Sequence, residues 1–132
     1  MCGIFAVVND QTGKAGKTVL ADLKKLEYRG YDSWGIVVKI GKRFFSKKKT
    51  GKISEVKLDF PQSKIGLGHT RWATHGGVTD DNAHPHFDCF KRIAVVHNGI
   101  VENYQAIKTK LKKKNHQFIS ETDTEVIAHL VE

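Results

Sequence analysis

The sequence has 132 residues, of which 39% are hydrophobic and 27% charged, so its composition indicates one globular domain rather than a disordered chain. Its net charge of +8 excludes an acidic protein, and its two cysteines exclude the disulfide framework of small secreted domains. The first twenty residues carry no secretory signal, and the apolar runs are too short to cross a bilayer. These features predict a cytoplasmic protein in a reducing compartment that has no contact with a membrane.

The predicted elements are strands and helices that follow one another along the chain. Short apolar runs rich in branched residues predict strands over 3–8, 34–40, 43–46, 64–69 and 92–97. Gly41 and Lys42 predict a two-residue hairpin turn. Apolar residues at helical spacing predict helices over 18–26, from Tyr104 to Leu111, and from 122 onward. Helices that pack on sheet faces in this way indicate a sheet-rich α/β or α+β layout.

The last predicted helix opens on a capping-box pattern. Thr122 would cap the helix and Glu125, three residues later, would reach back to it. Its apolar side would consist of Val126, Ile127, Leu130 and Val131. The sequence stops there without a C-terminal cap, which predicts that it is a fragment of a longer domain.

The positive charge is concentrated in three runs, at 42–43, 47–49 and 108–114. Such runs can bind phosphates, so a non-specific nucleic-acid surface is one interpretation. However, they lack the interleaved aromatic residues of an RNA-binding sheet, and the sequence has no DNA-binding motif. We therefore interpret them as solvated faces and predict no specific nucleic-acid partner.

Five potential metal ligands lie between residues 69 and 89: His69, His75, His84, His86 and Cys89. Their spacing is not the tight pattern of a zinc site. We therefore predict no metal, and interpret Cys89 as a small packed residue or a partly exposed thiol.

Cys2 becomes the first residue if Met1 is removed, and its thiol and α-amine then lie on the same residue. The pKa of a model α-amine is about 8 and that of a thiol about 8.5, so the amine can accept the thiol proton near neutral pH. One residue would then supply both a nucleophile and its base. The alternative is that Cys2 is only a small residue at the start of a buried strand.

Six motifs decide between these alternatives. They are Cys2-Gly-Ile-Phe5, Tyr28-Arg-Gly-Tyr-Asp-Ser33, His69-Thr-Arg-Trp-Ala-Thr-His-Gly76, Asn82-Ala-His-Pro-His86, His97-Asn-Gly-Ile-Val-Glu-Asn-Tyr104 and Ser120-Glu-Thr-Asp-Thr-Glu-Val126. Together they resemble the class II glutamine amidotransferases, and within that class the isomerising glutamine–fructose-6-phosphate aminotransferases. The resemblance covers essentially the whole chain. Amidophosphoribosyltransferases and asparagine synthetases share Cys-Gly-Ile but resemble the third and sixth motifs less well.

The resemblance implies an α+β fold, the αββα sandwich of N-terminal-nucleophile hydrolases, with mainly antiparallel sheets and a truncated C-terminus. Residues 1–132 would be the N-terminal part of the amidotransferase domain, with the sugar isomerase domain absent. The substrate would be glutamine, and fructose 6-phosphate would accept ammonia through the missing domain. The resemblance also implies a homo-oligomeric intact enzyme without a cofactor. This chain alone could at most hydrolyse glutamine.

The resemblance also assigns roles to individual residues. Cys2 would attack the glutamine side-chain amide, and Asn98 with the backbone N–H of Gly99 would stabilise the oxyanion. Arg71 would bind the α-carboxylate of glutamine and Asp123 its α-ammonium group. Other residues near the glutamine would be Trp72, Thr74, His75, Gly76, His86 and Arg29, the last supporting the N-terminal region.

Several alternatives remain open. Asn98-Gly99 is also a common turn, Asp123 could only cap a helix, and Trp72 could be a core residue. Trp34 stands where the family usually has a small residue, so its indole would repack the neighbouring strand or narrow the way to the acceptor site. The chain could also belong to a class II amidotransferase with another acceptor, or be a non-catalytic basic binding module.

Overall fold

The computed structural model describes all 132 residues, arranged in three helices, six strands and one short 3₁₀ turn. The helices are α1 (Ala15–Lys25), α2 (Tyr104–Lys113) and α3 (Glu125–Val131), and the 3₁₀ turn is Glu27–Arg29. The strands are β1 (Gly3–Val7), β2 (Ser33–Ile40), β3 (Arg43–Thr50), β4 (Gly66–Arg71), β5 (His86–Phe87) and β6 (Ala94–Val95). None of the helices has the length and apolar character needed to span a bilayer.

The larger sheet is antiparallel, with the strand order β1-β4-β2-β3. Gly41 has a φ of 58° and forms the predicted turn between β2 and β3. Gly3 of β1 pairs with Thr70 of β4, and Ser33 of β2 pairs with Arg71. This register places the residue before β1 next to the residues that follow β4.

Helix α1 covers one face of this sheet and forms the hydrophobic core with it. Val19 and Leu23 of α1 are fully buried and pack with Ile36 of β2. Trp34 belongs to the same cluster and is 4% exposed. The indole therefore fills the core under α1, and it does not narrow the cavity described below.

The opposite face of the large sheet packs against a second layer, formed by β5, β6, α2 and α3. A Cβ on Gly35 of β2 would collide with the carbonyl group of His84, so the two layers approach closely at this glycine. The ring of His69 on β4 stacks on that of His84, with centroids 4.2 Å apart and planes 22° apart. Because α3 packs on β5 and β6, the order of layers is helix, sheet, sheet, helix.

The second layer differs most from the sequence-based expectation. The strand predicted over 92–97 is reduced to Ala94–Val95, and β5, which pairs with it, was not predicted. Both strands have only two residues, too few for the alternation of apolar and polar side chains to be visible in the sequence.

The start of α3 differs from the prediction, and its buried face differs in part, since Val126 is buried as predicted. The helix begins after Thr124, whose side chain makes no capping hydrogen bond. The Glu125 carboxylate instead accepts the N–H groups of Ile119 and Ser120, at 2.8 and 2.7 Å. The buried residues of the helix are Glu125, Val126, Ala128 and His129, whereas Leu130 and Val131 are exposed.

Part of the basic charge is used within the protein. Nζ of Lys48 donates to the carbonyl groups of Asp81 and Pro85, at 3.0 and 3.3 Å, and burial lowers the pKa of this lysine to about 8. Lys49 pairs with Asp80 at 3.1 Å. The run at 47–49 therefore holds the loop before β5 against the edge strand β3.

Candidate active site

A cavity of about 430 Å³ lies where the beginning of β1 meets the end of β4. It contains nine of the eleven residues that the sequence analysis assigned to the site, and Gly76 and His86 are not among its lining residues. The nine are Cys2, Arg29, Arg71, Trp72, Thr74, His75, Asn98, Gly99 and Asp123.

Hydrogen bonds to the thiol and to the backbone carbonyl group of Cys2 hold this residue at the cavity. Sγ of Cys2 accepts the backbone N–H of Trp72 at 3.1 Å and lies 3.6 Å from the Trp72 carbonyl oxygen. The Cys2 carbonyl accepts Nε–H of Arg29 at 3.3 Å and an Nδ2–H of Asn98 at 2.9 Å. These contacts fix the position of Cys2 at the edge of the cavity.

Asn98 is oriented by a histidine that the sequence analysis considered only as a metal ligand. Oδ1 of Asn98 accepts Nε2–H of His69 at 2.9 Å. His69 is fully buried, and burial lowers its pKa to about 4, so its imidazole is uncharged at neutral pH. Because Oδ1 is occupied by His69, the NH₂ group of Asn98 faces Cys2.

Gly99 follows Asn98 along the wall of the cavity. A Cβ at this position would lie 2.7 Å from Nε2 of His97, closer than real Cβ atoms approach a neighbour. A larger residue here would therefore have to displace the imidazole of His97.

Arg71 lies on the same face of β4 as His69, two residues away, and is 4% exposed. Its guanidinium donates to the carbonyl groups of His75, of Gly76 at 3.4 Å and of Gly77 at 3.1 Å. Gly76 thus contacts Arg71 but does not line the cavity. At least two of the five N–H groups of Arg71 remain for a ligand.

Asp123 points into the cavity and does not cap α3. Oδ2 accepts the backbone N–H of Val101 at 2.6 Å, while Oδ1 receives no hydrogen bond from the protein. The residue is 4% exposed and precedes the helix N-cap Thr124. A buried carboxylate with one free oxygen is suited to bind a cationic group.

Trp72, Thr74 and His75 form the mouth of the cavity. Trp72 is 44% exposed and meets Tyr31 edge to face, with ring centroids 5.3 Å apart, so it is not a core residue. Nδ1 of His75 is buried and has no hydrogen-bond partner, which leaves a polar atom at the mouth available to a ligand.

His86 lies behind the cavity wall. Its Nε2 is 2.8 Å from Oγ1 of Thr122, and Thr122 lines the cavity. His86 is 3% exposed, and burial keeps its pKa well below the usual value for histidine. Any influence of His86 on a ligand therefore passes through the Thr122 hydroxyl.

The buried histidines predict a loss of stability in mild acid. Burial lowers the pKa of three histidines: that of His69 to about 4, and also those of His84 and His86. They therefore stay uncharged in the folded protein at pH values where the histidines of the unfolded chain become protonated. The unfolded state then binds more protons, so the free energy of unfolding falls as the pH drops from about 6.5 towards 4. His69 alone accounts for about 3 kcal/mol of this loss.

Urea unfolding at several pH values between 7 and 4 measures this effect. The variant His69→Gln keeps a donor for Asn98 but cannot titrate, so its stability should vary less with pH than that of the unmodified chain. Carboxylates with a lowered pKa, such as Asp80, lose their contribution below about pH 4, outside this window. A free energy of unfolding that is flat or rises between pH 6.5 and 4 would contradict the prediction.

Comparison with known proteins shows which family this chain resembles. Residues 55–132 match the family model of the glutamine amidotransferase domain. The chain is 54% identical to glutamine–fructose-6-phosphate aminotransferase [isomerizing] of Pyrococcus horikoshii, 53% to that of Methanococcus maripaludis and 51% to that of Thermotoga maritima. Each match covers the whole of this chain but only 22% of the relative. The chain therefore spans about a fifth of the length of these curated relatives.

Solved structures agree on the fold. Glutamine phosphoribosylpyrophosphate amidotransferase from B. subtilis superposes with a TM-score of 0.79 at 27% identity, over 99% of this chain and 29% of its own. A structure described as the allosteric regulatory enzyme of purine biosynthesis gives a TM-score of 0.82 at 30% identity, with the same coverage. The expected sandwich of N-terminal-nucleophile hydrolases is thereby confirmed. The chain belongs to the glutamine amidotransferase domain family.

Proposed function

We propose that this chain hydrolyses the side-chain amide of glutamine through a cysteinyl thioester, giving glutamate and ammonia. The observation that carries the proposal is that one cavity contains the Cys2 thiol, the Asn98 amide, a buried guanidinium from Arg71 and a buried carboxylate from Asp123. Glutamine has one chemical group for each of them. Residues 1–132 would form the N-terminal part of this amidotransferase domain.

The charged residues set the orientation of the substrate. The α-carboxylate of glutamine binds the free N–H groups of Arg71, and its α-ammonium group binds Oδ1 of Asp123. The carboxamide end then extends to Cys2. Thr74, His75 and Trp72 enclose the bound molecule, Gly76 holds Arg71 through its carbonyl group, and His86 orients the Thr122 hydroxyl.

The reaction uses the groups around Cys2. Sulfur attacks the amide carbon, and the negative charge that forms on oxygen is stabilised by the Nδ2–H of Asn98 and the N–H of Gly99. The α-amine of Cys2, free once Met1 is removed, carries the thiol proton to the departing ammonia. Water then hydrolyses the thioester, releases glutamate and restores the thiol. No metal or cofactor takes part in these steps.

We further propose that the ammonia passes to fructose 6-phosphate in a homo-oligomeric enzyme, on a part of the protein outside this chain. Support comes from the relatives with about 50% identity, which carry that activity in their names, whereas the purine-pathway enzymes are only 27–30% identical. This difference favours the sugar-phosphate acceptor over other acceptors used by class II amidotransferases.

A comparison of glutamine with its deamino analogue, glutaramate, tests the proposed orientation. The unmodified chain should lose about 10- to 100-fold in kcat/KM on the analogue, because a hydrogen bond to a charged group contributes about 1.5–3 kcal/mol. In Asp123→Asn the two substrates should differ little, since the carboxylate that distinguishes them is gone. The exposed residue Asp59 offers a matched control, and Asp59→Asn should discriminate as fully as the unmodified chain. Unchanged discrimination in Asp123→Asn would contradict the assignment.

A further inference from the structure

Four potential metal ligands meet beside a second cleft, which three of them line and which shares no residue with the glutamine cavity. They are Cys89, His116, His129 and Glu132, and one donor atom from each lies within 4.8 Å of the others. Cys89 comes from the turn between β5 and β6, His116 follows α2, and the other two lie at the end of α3. The cluster therefore joins three segments of the second layer.

Five of the six distances between the donor atoms are close to the edges of a zinc tetrahedron, and the sixth, from Sγ of Cys89 to the Glu132 carboxylate, is within 4.8 Å. Zn–S and Zn–N bonds of about 2.3 and 2.05 Å imply S···N edges of about 3.5 Å and N···N edges of about 3.3 Å. Here the two Nδ1 atoms of His116 and His129 are 3.3 Å apart, and Sγ of Cys89 lies 3.8 and 3.5 Å from them. Oε2 of Glu132 lies 3.1 and 3.3 Å from the same two nitrogens.

The environment of His129 orients its lone pair towards the other ligands. The side chain is 1% exposed, and its Nε2 is buried without a hydrogen-bond partner, 3.7 Å from Oε1 of Glu125. A carboxylate behind the outer nitrogen of a histidine ligand is the usual second partner of a zinc-bound imidazole, and Glu125 occupies that position at a distance longer than a hydrogen bond. Nδ1 of His129 then presents a lone pair to a cluster that already contains a second imidazole, a sulfur and a carboxylate. One cation satisfies all of these acceptors.

The fold holds the ligands in place through bonds that do not involve the cluster. The carboxylate of Asp88 accepts the N–H groups of Arg92 and Ile93, at 2.6 and 2.7 Å, which closes the turn that carries Cys89. The N–H of His116 donates to the carbonyl group of Leu111 at 3.1 Å.

Helix α2 ends with two backbone hydrogen bonds, of which that of His116 is the first. In the second, the N–H of Asn115, which has a φ of 68°, donates to the carbonyl group of Lys112 at 3.0 Å. The two bonds form a Schellman motif, which fixes the backbone at His116. The ring of His129 packs on Phe118 with centroids 4.3 Å apart. Such support from neighbouring residues is expected of a preorganised metal site.

We propose that Cys89, His116, His129 and Glu132 bind one zinc ion in a closed tetrahedral site. A thiolate, two imidazoles and a carboxylate form a donor set typical of zinc, and four protein ligands leave no open position for chemistry. The ion is therefore structural. It ties the β5–β6 turn and the end of α2 to α3, the helix that begins two residues after Asp123. This proposal is independent of the glutamine chemistry.

Titration of the chelator-treated chain with Co²⁺ and Zn²⁺ in reducing buffer tests the site. One equivalent of Co²⁺ should produce a thiolate-to-cobalt charge-transfer band with the visible bands of a tetrahedral ion, and Zn²⁺ should displace it. Because the chain has only two cysteines, Cys2→Ser is the matched control for Cys89→Ser. The charge-transfer band should persist in Cys2→Ser and disappear in Cys89→Ser.

Replacing one histidine in each cavity provides a second comparison. His116→Ala should weaken Zn²⁺ binding at least about 100-fold. Loss of a residue that only hydrogen-bonds to a metal ligand already lowers metal affinity about 10- to 100-fold. His75→Ala, which changes the other cavity, should bind Zn²⁺ as the unmodified chain does. The titration of the unmodified chain requires no variant to fold. The proposal fails if that chain binds no stoichiometric metal, or if the cobalt band survives in Cys89→Ser and is lost in Cys2→Ser.

Discussion

Replacing Cys2 with alanine should lower the rate of glutamine hydrolysis by at least about 10⁴-fold, because no other group in the cavity can form the covalent intermediate. The second thiol, Cys89, lines a different cleft. Release of glutamate and of ammonia, measured together, provides the rate. Arg71 and Asp123 remain in this variant, so glutamine should still bind.

Labelling separates loss of the nucleophile from loss of the fold. A glutamine-like electrophile should add once to the unmodified chain and to Cys89→Ala, and intact mass should show no adduct on Cys2→Ala. If Cys2→Ala kept a substantial part of the hydrolysis rate, the thioester route would be wrong.

The same prediction extends to the α-amine. Met1 is 82% exposed and lines the cavity, so the Cys2 amine is available only after this methionine is removed. A permanent N-terminal tag should therefore abolish hydrolysis as completely as Cys2→Ala does. Intact mass should show the methionine absent from an active preparation. A chain that retains Met1 and hydrolyses glutamine at the full rate would require another base.

The sequence could single out Cys2, Arg71, Asn98 and Asp123 as candidates that line one cavity, because each belongs to a short motif that can be read without knowledge of the fold. Their assembly follows from the antiparallel pairing of β1 with β4, which brings residues 2 and 72 together. The strand pattern indicated both strands but not that they are neighbours, since pairing depends on contacts distant in sequence.

His69 shows why the residues behind the site were missed. On β4 it shares a face with Arg71, and this alternation was visible in the sequence. Its partner Asn98 lies 29 residues away, on a segment whose position depends on the packing of the two layers. The sequence analysis therefore considered His69 only as a metal ligand, which it rejected, whereas the structure shows a neutral donor that orients an amide.

The sequence did not group the residues of the proposed zinc cluster for a related reason. Its ligands follow the spacing Cys-x26-His-x12-His-x2-Glu, in which only the last pair is close in sequence. His129 and Glu132 share a face of α3, but the helical pattern favoured an apolar side through Leu130 and Val131, which are in fact exposed. The buried position of His129 becomes visible only once α3 is packed on β5 and β6.

Replacing Asn98 with alanine should lower kcat for glutamine hydrolysis by about 10²–10³-fold and change KM little, because an oxyanion donor acts mainly in the transition state. Asn103 offers a matched control, since it is exposed and its side chain makes no capping hydrogen bond at the start of α2. Asn103→Ala should hydrolyse glutamine at the rate of the unmodified chain.

Asn98 also donates to the Cys2 carbonyl, so a slow Asn98→Ala could instead reflect a displaced thiol. Alkylation by iodoacetamide distinguishes the two explanations, because displacement of iodide develops no oxyanion on a carbonyl group. If Asn98 stabilises the oxyanion, Cys2 of Asn98→Ala should alkylate at the rate of the unmodified chain while hydrolysis falls. If both rates fall together, Asn98 is a positioning residue for Cys2, and the oxyanion would depend on Gly99 and other donors.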